Sequence, residues 1–325
     1  MSLSRSYPPC PDYPPYPDDV LQAASRAAAR QLGISVEGLH LPREQGDRSA
    51  RFAGRTAGGV HVFVKMLATE HADTRRLFQH EIAVTHALSA TQSEAFYVPE
   101  LLGQGHHGDV LWMALEYVEG EPVRLDAETL PHLAKALRAI REVGPEIVVG
   151  HDCAADHEPW GMERYRRNIH ETAARLEALG YIDGEQRGIV EYFTNLTAPE
   201  LDDADVHKTT PQPQHGDFAP GNLRLRSGTI VVLDWEHANL DRGWLDVAHY
   251  ATTSSAWGSQ LGRDLARAVV DNWDVEENFF LLAQLERLAG RANDKHCRRG
   301  QRDDVTLSRL RELTMELRRF IPQDP

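Results

Sequence analysis

The feature that most constrains this chain is a polar loop followed by a short apolar segment that ends in a carboxylate. Residues 215–222 read His-Gly-Asp-Phe-Ala-Pro-Gly-Asn and place Asp217 and Asn222 five positions apart. The run Thr-Ile-Val-Val-Leu at 229–233 is rich in β-branched residues, which favours a strand, and Asp234 follows it directly. The sequence therefore predicts a tight loop and a strand end that together carry an amide and two carboxylates.

These three side chains suit the transfer of a phosphoryl group from a nucleotide. That chemistry requires one carboxylate to orient and deprotonate the attacking hydroxyl, and oxygen ligands that hold magnesium on the phosphates. A purely structural alternative is a Gly/Pro/Asn turn between a helix and a hairpin, with Asp234 merely ending a strand. The catalytic interpretation requires a phosphate-binding cation and its partner elsewhere in the chain.

A candidate cation lies on an alternating segment nearer the start. Residues 60–66 alternate, so that the valines share one face and Phe63 and Lys65 share the other. Lys65 alone would be interpreted as a solvated strand lysine, but beside Phe63 it suits a phosphate site next to an apolar ceiling for a purine. The helical pattern of 73–88 places Glu81 near its middle, as the natural partner of Lys65. Such a pair fixes the direction of the lysine, although its net contribution to stability is close to zero.

A further segment, residues 110–120, is an apolar strand that runs into a polar turn. Taken alone, it is equally compatible with a core strand and a turn. Together with the loop, the lysine and the helix, it resembles the strand and hinge that join the two lobes of protein-kinase-like folds. Over roughly residues 36–255, and most strongly at 213–250, the chain resembles aminoglycoside phosphotransferase-type kinases, a small-molecule branch of the kinase-like superfamily.

The resemblance implies an α+β, bilobal protein-kinase-like fold. The N-lobe, residues 18–115, would hold an antiparallel sheet and a helix and would bind the nucleotide. A hinge at about 115–120 would lead into a mainly helical C-lobe, residues 116–325, with the catalytic loop, the metal ligands and the substrate site. The proline-rich segment 1–17 is expected to be a flexible leader.

By the same resemblance, five residues form the catalytic machinery, with Mg²⁺ as the cofactor and ATP or GTP as the phosphate donor. Asp217 is the catalytic base, and Asn222 and Asp234 ligate magnesium. Lys65 contacts the α- and β-phosphates. Glu81 orients Lys65.

The resemblance also implies residues that support the loop and surround the nucleotide. His215 and Asp246 are assigned to structural support of the catalytic loop. The purine edge would bond to the backbone carbonyl of Glu116 and the backbone amide of Val118. The other residues assigned to the nucleotide pocket are Ser49, Phe63, Leu115 and Leu233.

Three features depart from the kinase pattern. Trp235-Glu236 stands where protein kinases have Phe-Gly. No G-x-G-x-x-G motif occurs near the start, so residues 44–54 would have to cover the phosphates. Arg224 stands where relatives often have an apolar floor, and it either stacks on the purine or points away while Leu233 supplies the floor.

The spacing of the carboxylates restricts the acceptor. Eleven residues separate Asp234 from Asp246, too few for a long activation segment that binds a peptide, so the sequence favours a small molecule with a hydroxyl group. An acidic and aromatic mixture could hold an amino sugar or a nucleoside, although surface charge beside a buried Trp is at least as good an explanation. The candidate acceptor residues are Asp152, Asp156, His157, Glu158, Trp160, Glu236, Asp271, Trp273, Asp274, Glu276 and Glu277.

We therefore expect an enzyme that phosphorylates a hydroxyl of an antibiotic, either an aminoglycoside or another hydroxylated or nucleoside antibiotic, and so confers resistance. A metabolic kinase for a sugar, an amino sugar or a choline-like amine is the alternative. A nucleotide-binding pseudokinase is disfavoured, because a binding scaffold has no need of the base Asp217.

Composition limits the possible partners. The net charge of −14 opposes nucleic-acid binding and would attract a cationic acceptor at modest salt. No apolar run reaches the length of a membrane span, and no signal sequence is recognisable. The three cysteines are widely spaced, which favours a reducing cytoplasm over disulfides or a zinc site. The sequence leaves open whether the protein is a monomer or a dimer.

Overall fold

The computed structural model describes most of the chain, with gaps. The described residues are 17–41, 49–68, 72–91, 93–149, 170–171, 173–201, 212–241, 245–254, 260–270, 277, 280–281, 283–285, 287–288 and 304–318. The predicted leader 1–17, apart from Pro17, and residues 44–48 of the predicted phosphate-covering loop lie outside these residues.

The N-terminal part is built on an antiparallel sheet of five strands in the order β1-β2-β3-β6-β5. The bounds of these strands are β1 Glu37–His40, β2 Ser49–Arg55, β3 His61–Ala68, β5 Leu101–His107 and β6 Val110–Glu116. In the register of the sheet, Lys65 of β3 lies between Arg51 of β2 and Met113 of β6. This central position gives Lys65 a fixed backbone in the middle of the sheet.

The alternation predicted for β3 separates a core face from a cleft face. Val62, Val64 and Met66 are buried in a cluster with Leu21 of helix α1, which spans Asp18–Leu32. The opposite face of the strand carries Phe63, Lys65 and Leu67. The apolar stripe of α1 therefore covers one side of the sheet and leaves the other side to line a site.

Helix α2 (Ala72–Ser89) packs on the cleft side of the sheet, and it matches the helix predicted at 73–88. Phe78 is buried against Leu67 and Met113, and Val84 and Leu88 join the core of the C-terminal part. The helix thus contacts both parts of the molecule. As a result, its middle residue Glu81 is almost completely buried.

The C-terminal part is mainly helical. Its described helices are α3 Leu130–Arg141, α4 Pro145–Val149, α5 Gly184–Leu201, α6 Leu245–Thr253, α7 Gln260–Val269 and α8 Asp304–Arg318. Its core contains buried residues of each of these helices, and the buried residues Ile230 and Val232 also belong to it. The predicted α+β fold, with an antiparallel sheet first and helices after it, is confirmed. The domain boundaries remain predictions.

Short strands position the catalytic loop within this helical part. β7 (Gln212–Gln214) pairs with β10 (Asn239–Asp241), and β8 (Leu223–Arg226) forms a hairpin with β9 (Thr229–Val232). β4 (Phe96–Tyr97) runs parallel to β9. The two residues of the hairpin turn, Ser227 and Gly228, both have positive φ, as a type I′ turn requires. The catalytic loop, residues 215–222, runs from β7 to β8, so strands of two different small sheets hold its two ends.

Among the described residues, no helix combines the length and the apolar character needed to cross a membrane.

Candidate active site

The catalytic loop is held at its start by Asp246 of α6. The Asp246 carboxylate accepts hydrogen bonds from the backbone N–H groups of His215 (2.7 Å) and Gly216 (2.9 Å). Burial raises the pKa of Asp246, and these two donors offset part of that increase because they favour the anion. Gly216 has φ +81°, and a Cβ atom there would lie 2.0 Å from the carbonyl oxygen of His237. Only glycine fits this position.

His215 contacts the backbone of two segments through its two ring nitrogens. Its Nδ1 atom accepts the backbone N–H of Asp217 at 3.2 Å, and its Nε2 atom lies 2.8 Å from the carbonyl oxygen of Leu233. Because Nδ1 must accept, Nε2 carries the hydrogen and donates it to that carbonyl. The ring also packs edge-on against Trp235 at 4.6 Å between centroids. His215 thereby links the catalytic loop to the segment that carries Asp234.

The Asp217 carboxylate is contacted on both oxygens. Its Oδ2 atom accepts a hydrogen bond of 2.9 Å from the side-chain amide of Asn222, and its Oδ1 atom lies 3.2 Å from Nε2 of His249. Burial raises the pKa of Asp217, while the hydrogen bond from Asn222 acts in the opposite direction. The Asn222 amide nitrogen also donates to the Asp217 carbonyl at 3.0 Å, which leaves the Asn222 amide oxygen available as a metal ligand.

Lys65 faces three carboxylates. Its Nζ atom lies 2.6 Å from Asp234, 2.8 Å from Glu81 and 3.4 Å from Glu236. Burial lowers the pKa of Lys65, but the three negative charges outweigh burial and hold it above its ordinary value. Burial raises the pKa of Glu81, and the charge of Lys65 opposes that increase. The lysine is therefore a permanently charged group with a fixed direction.

Asp234 adopts a strained backbone that aims its carboxylate at Lys65. Its φ of 65° and ψ of 64° lie in the left-handed region, which costs a residue other than glycine about 1–3 kcal/mol. Oxygen atoms of Glu81, Asp234 and Glu236 lie within 4.8 Å of one another. Carboxylate oxygens and the Asn222 amide oxygen are hard ligands of the kind that Mg²⁺ prefers. The donor set fits a magnesium ion.

Glu236 lies in this cluster, whereas the sequence assigned it to the acceptor site. Its carboxylate also pairs with Nε2 of His237 at 3.4 Å, and this contact lowers the pKa of Glu236 to about 2. Its contact with Lys65 brings it beside Asp234 in the cleft. His237 in turn has a raised pKa because of its bond to Glu236.

A cleft of about 680 Å³ lies between the sheet and the catalytic loop. Of the predicted residues it is lined by Ser49, Phe63, Lys65, Glu81, Leu115, Glu116, Val118, Asn222, Leu233, Asp234 and Glu236. The side chain of Glu116 bonds Arg226 at 2.8 Å and also the hydroxyl of Tyr97. The predicted pocket residues of the sheet and α2 therefore line the same cleft as Asn222, Leu233 and Asp234.

Arg224 also lines the cleft. Its guanidinium donates to the carbonyls of Gly221 (2.9 Å) and Leu223 (2.8 Å). These bonds draw the charged end toward the backbone of its own segment. Leu233 lines the cleft as well, so both residues named for the floor are present there.

The remaining acceptor predictions are mostly outside the described residues. Those outside are Asp152, Asp156, His157, Glu158, Trp160, Asp271, Trp273, Asp274 and Glu276. Glu277 is half-buried and is not among the residues that line the cleft. Sequence reasoning missed His237 and His249. The spacing of His249 three positions after Asp246 is a signal that could have found it, since such residues share a helix face.

Comparisons with known proteins identify the family and the fold of the chain. The family model described as the phosphotransferase enzyme family matches residues 42–290. No curated protein sequence matches the chain.

Three solved structures illustrate the fold. A mutant aminoglycoside 2′-phosphotransferase in complex with GDP is 14% identical, with a TM-score of 0.64 and coverage of 92% of this chain and 97% of that one. A protein assigned as a fructosamine-3-kinase from Haemophilus somnus is 16% identical, with a TM-score of 0.60 and coverage of 92% and 99%. An amicoumacin kinase in complex with AMP-PNP and Ca²⁺ is 11% identical, with a TM-score of 0.55 and coverage of 92% and 94%.

At these identities the three likenesses show the fold alone, which is kinase-like. The family match covers most of the chain and shows the family. The predicted resemblance to aminoglycoside phosphotransferase-type kinases is confirmed, and the chain is a small-molecule kinase. The chain belongs to the phosphotransferase enzyme family.

Proposed function

We propose that this enzyme transfers the γ-phosphate of a magnesium-bound nucleoside triphosphate to a hydroxyl of an antibiotic, with Asp217 as the general base. The observation that carries the proposal is that four of the five predicted side chains line one cleft, and that the fifth, Asp217, is bonded to the cleft residue Asn222. Lys65 contacts Glu81 and Asp234 directly, and Asn222 bonds Asp217. Such a set has the charges and the base that phosphoryl transfer requires.

Binding of the nucleotide uses both sides of the cleft. Phe63, Leu115 and Leu233 offer apolar contacts to the base, and backbone groups of the hinge bond its edge. Lys65 holds the α- and β-phosphates, and buried Glu81 keeps the ammonium directed at them. Because the hinge contacts are made by the backbone, both ATP and GTP are candidate donors.

Asn222 and Asp234 would hold Mg²⁺, which neutralises negative charge on the phosphates when it is bound. An oxygen of Glu236 lies within 4.8 Å of one of Asp234, so Glu236 would either ligate the ion or hydrogen-bond to one of its ligands. We therefore assign Glu236 to the phosphate side of the site rather than to the acceptor. Asn222 has a second function, because its amide also fixes the Asp217 carboxylate.

In the transfer step, Asp217 accepts a hydrogen bond from the acceptor hydroxyl. As the bond from that oxygen to the γ-phosphorus forms, the bond from the γ-phosphorus to the bridging oxygen breaks and releases the nucleoside diphosphate. The hydroxyl proton passes to Asp217. Positioning of the reactants and fixed charges provide most of the acceleration.

An antibiotic is the acceptor class that we favour, with an aminoglycoside or another hydroxylated or nucleoside antibiotic as its members. Aminoglycoside phosphotransferases and an amicoumacin kinase are among the proteins of similar fold. The net charge of −14 favours a cationic acceptor. A metabolic kinase for an amino sugar or a choline-like amine is the second candidate, supported by the likeness to a fructosamine-3-kinase. Either activity would take place in the cytoplasm.

A substrate panel tests the proposal. Hygromycin B, amicoumacin, another aminoglycoside, a nucleoside antibiotic, a fructosamine, glucosamine and choline are each incubated with Mg²⁺ and either ATP or GTP. Release of nucleoside diphosphate that depends on the acceptor, together with a mass increase of one phosphate on the product, is the expected result for an antibiotic. Turnover of only the metabolic compounds would favour the second candidate.

Asp217→Asn tests the base. We expect turnover to fall by about two to four orders of magnitude, the usual scale of general-base catalysis, while nucleotide affinity stays nearly constant. Asp264→Asn on α7 is the control, because this carboxylate is paired with Arg267 on a helix outside the cleft. Wild-type turnover in Asp217→Asn would exclude Asp217 as the base.

A further inference from the structure

Helix α6 presents a second polar side chain to the catalytic loop. Asp246, near the start of the helix, accepts the backbone amides of His215 and Gly216. His249 lies three positions later, so it projects from the same helix face. Its Nε2 atom is 3.2 Å from Oδ1 of Asp217, and its side chain is 12% exposed. One face of α6 therefore contacts both the backbone of the loop and its catalytic carboxylate.

The Asp217 carboxylate is thus bracketed by groups from two separate elements. Asn222, at the end of the loop, donates to Oδ2, and His249, from α6, faces Oδ1. A carboxylate has about four lone-pair positions, so both contacts can be made while one position stays available to an acceptor hydroxyl. The two contacts together restrict rotation of the carboxylate about its own axis.

We infer that His249 is the positioning residue for Asp217. It carries a hydrogen on Nε2 and directs it at Oδ1, which fixes the orientation of the carboxylate and stabilises the anion that must receive the hydroxyl proton. This inference rests on the proposed function of Asp217 as the base. A residue needed only for packing would not require a ring nitrogen 3.2 Å from a charged oxygen, because bringing a polar ring into a mostly buried place has a desolvation cost.

The contacts of the next residue, Tyr250, fix the position of His249 relative to Asp217. Tyr250, the next residue of α6, is turned into the core, where its hydroxyl donates to the carbonyl of Val123 at 3.0 Å. Its ring also packs against Phe218 at 5.9 Å between centroids. Tyr250 follows His249 and Phe218 follows Asp217, so the contact between their rings fixes the distance from His249 to Asp217.

Two substitutions at His249 test the inference kinetically. His249→Phe retains a planar ring and removes the donor, whereas His249→Gln retains an N–H group that can reach the same oxygen. We expect His249→Phe to lower kcat about 10- to 100-fold, the range of a hydrogen bond to a charged group. His249→Gln should recover most of that loss, and both variants should bind Mg-ADP with the affinity of the unmodified enzyme. Equal kcat in the Phe variant and the unmodified enzyme would overturn the inference.

A double variant separates this inference from the proposed function. If His249 acts through Asp217, adding His249→Phe to Asp217→Asn should lower kcat no further. An active Asp217→Asn enzyme would contradict the proposed function itself. An inactive Asp217→Asn enzyme combined with a fully active His249→Phe enzyme would contradict only the positioning role of His249.

A spectroscopic measurement does not depend on the identity of the acceptor. Long-range ¹H–¹⁵N correlation spectra of the histidine rings distinguish a hydrogen on Nδ1 from one on Nε2. The His249 ring is identified by the signal that His249→Gln lacks. We expect a hydrogen on Nε2 and a shift of that nitrogen signal in Asp217→Asn. A ring with its hydrogen on Nδ1 alone cannot donate to Asp217 and would refute the inference.

Discussion

At the scale of single residues, Lys65 places a positive charge among the carboxylates of the cleft. Three carboxylates lie within 3.4 Å of its ammonium, and of these Glu81 is the one that is almost fully buried. A buried partner contributes little net stability, but it restricts the directions that the lysine can take. On the proposed function, Glu81 would therefore act mainly by orienting Lys65 toward the phosphates. Asp234 and Glu236 are half-buried, and their oxygen atoms lie within 4.8 Å of an oxygen of Glu81.

Glu81→Gln tests whether Glu81 orients Lys65. Lys65 would keep Asp234 and Glu236 as partners and would be drawn toward them, away from the phosphates. We expect kcat/KM for the nucleotide to fall about 10²-fold, the effect of a misplacement of roughly 1 Å. Steady-state kinetics with varied nucleotide measures this. The exposed Glu128→Gln is the matched control, and equal values for the two variants would show that Glu81 does not orient the lysine.

At the scale of elements, the catalytic loop depends on close packing between its backbone and the segment after β9. Gly216 has φ +81°, and the carbonyl of His237 occupies the place that a side chain would need. The amide of Gly216 is bound by Asp246 of α6. The loop is therefore held between α6 and the residues that follow Asp234. A change at Gly216 would displace elements on both sides.

Gly216→Ala should be more destabilising than a change at a glycine with similar φ and no close neighbour. Gly33, at the end of α1, has φ +65°, and no atom lies within 4 Å of the place that a Cβ atom would take there, so Gly33→Ala measures backbone strain alone. We expect Gly216→Ala to lose about 1–3 kcal/mol more free energy of unfolding, the cost of overpacking. Urea unfolding followed by circular dichroism measures both variants. Equal losses would mean that the carbonyl of His237 moves aside freely.

At the scale of the whole molecule, the cleft joins the sheet to the helical part. Its lining comes from β2, β3, β6 and α2 on one side and from the catalytic loop and the Asp234 segment on the other. A ligand that contacts both sides binds only the folded arrangement. Its binding must therefore stabilise the complete fold.

Mg-nucleotide should raise the unfolding temperature, with a stabilisation of about 2.7 kcal/mol at a concentration of 100 times Kd. In Asp234→Asn, we expect the stabilisation by nucleotide to become independent of Mg²⁺, because this variant loses a charged metal ligand. Thermal unfolding with nucleotide, with and without Mg²⁺, measures the difference. Asp264→Asn should behave like the unmodified enzyme. Full magnesium dependence in Asp234→Asn would contradict the assigned metal site.

Local patterns were sufficient for a large part of the fold and of the site. The alternation around Lys65 predicted a strand with a core face and a cleft face, and the helical spacing around Glu81 predicted α2 to within one residue at each end. The contact of Lys65 with Glu81 agrees with the predicted pairing, whereas its contact with Asp234 was not predicted. These features succeed because periodicity and turn residues act over a few neighbours, which a sequence displays directly.

The position of Glu236 could not be predicted from local sequence patterns. It was assigned to the acceptor, yet its carboxylate lies 3.4 Å from Lys65, which is 171 positions away in the chain. No local pattern specifies which strand a turn residue will face. The left-handed backbone of Asp234 is equally invisible in the sequence, because only the surrounding packing stabilises it.

By itself, the sequence indicated the strand that carries Lys65, the helix that carries Glu81 and the family of the enzyme. The tertiary structure alone decided that Glu236 lies beside Lys65, that the carbonyl of His237 packs against Gly216 and that His249 faces Asp217. The physical reason is that these contacts depend on how whole elements dock against one another. Docking is set by the burial of the shared core, to which the three side chains contribute little.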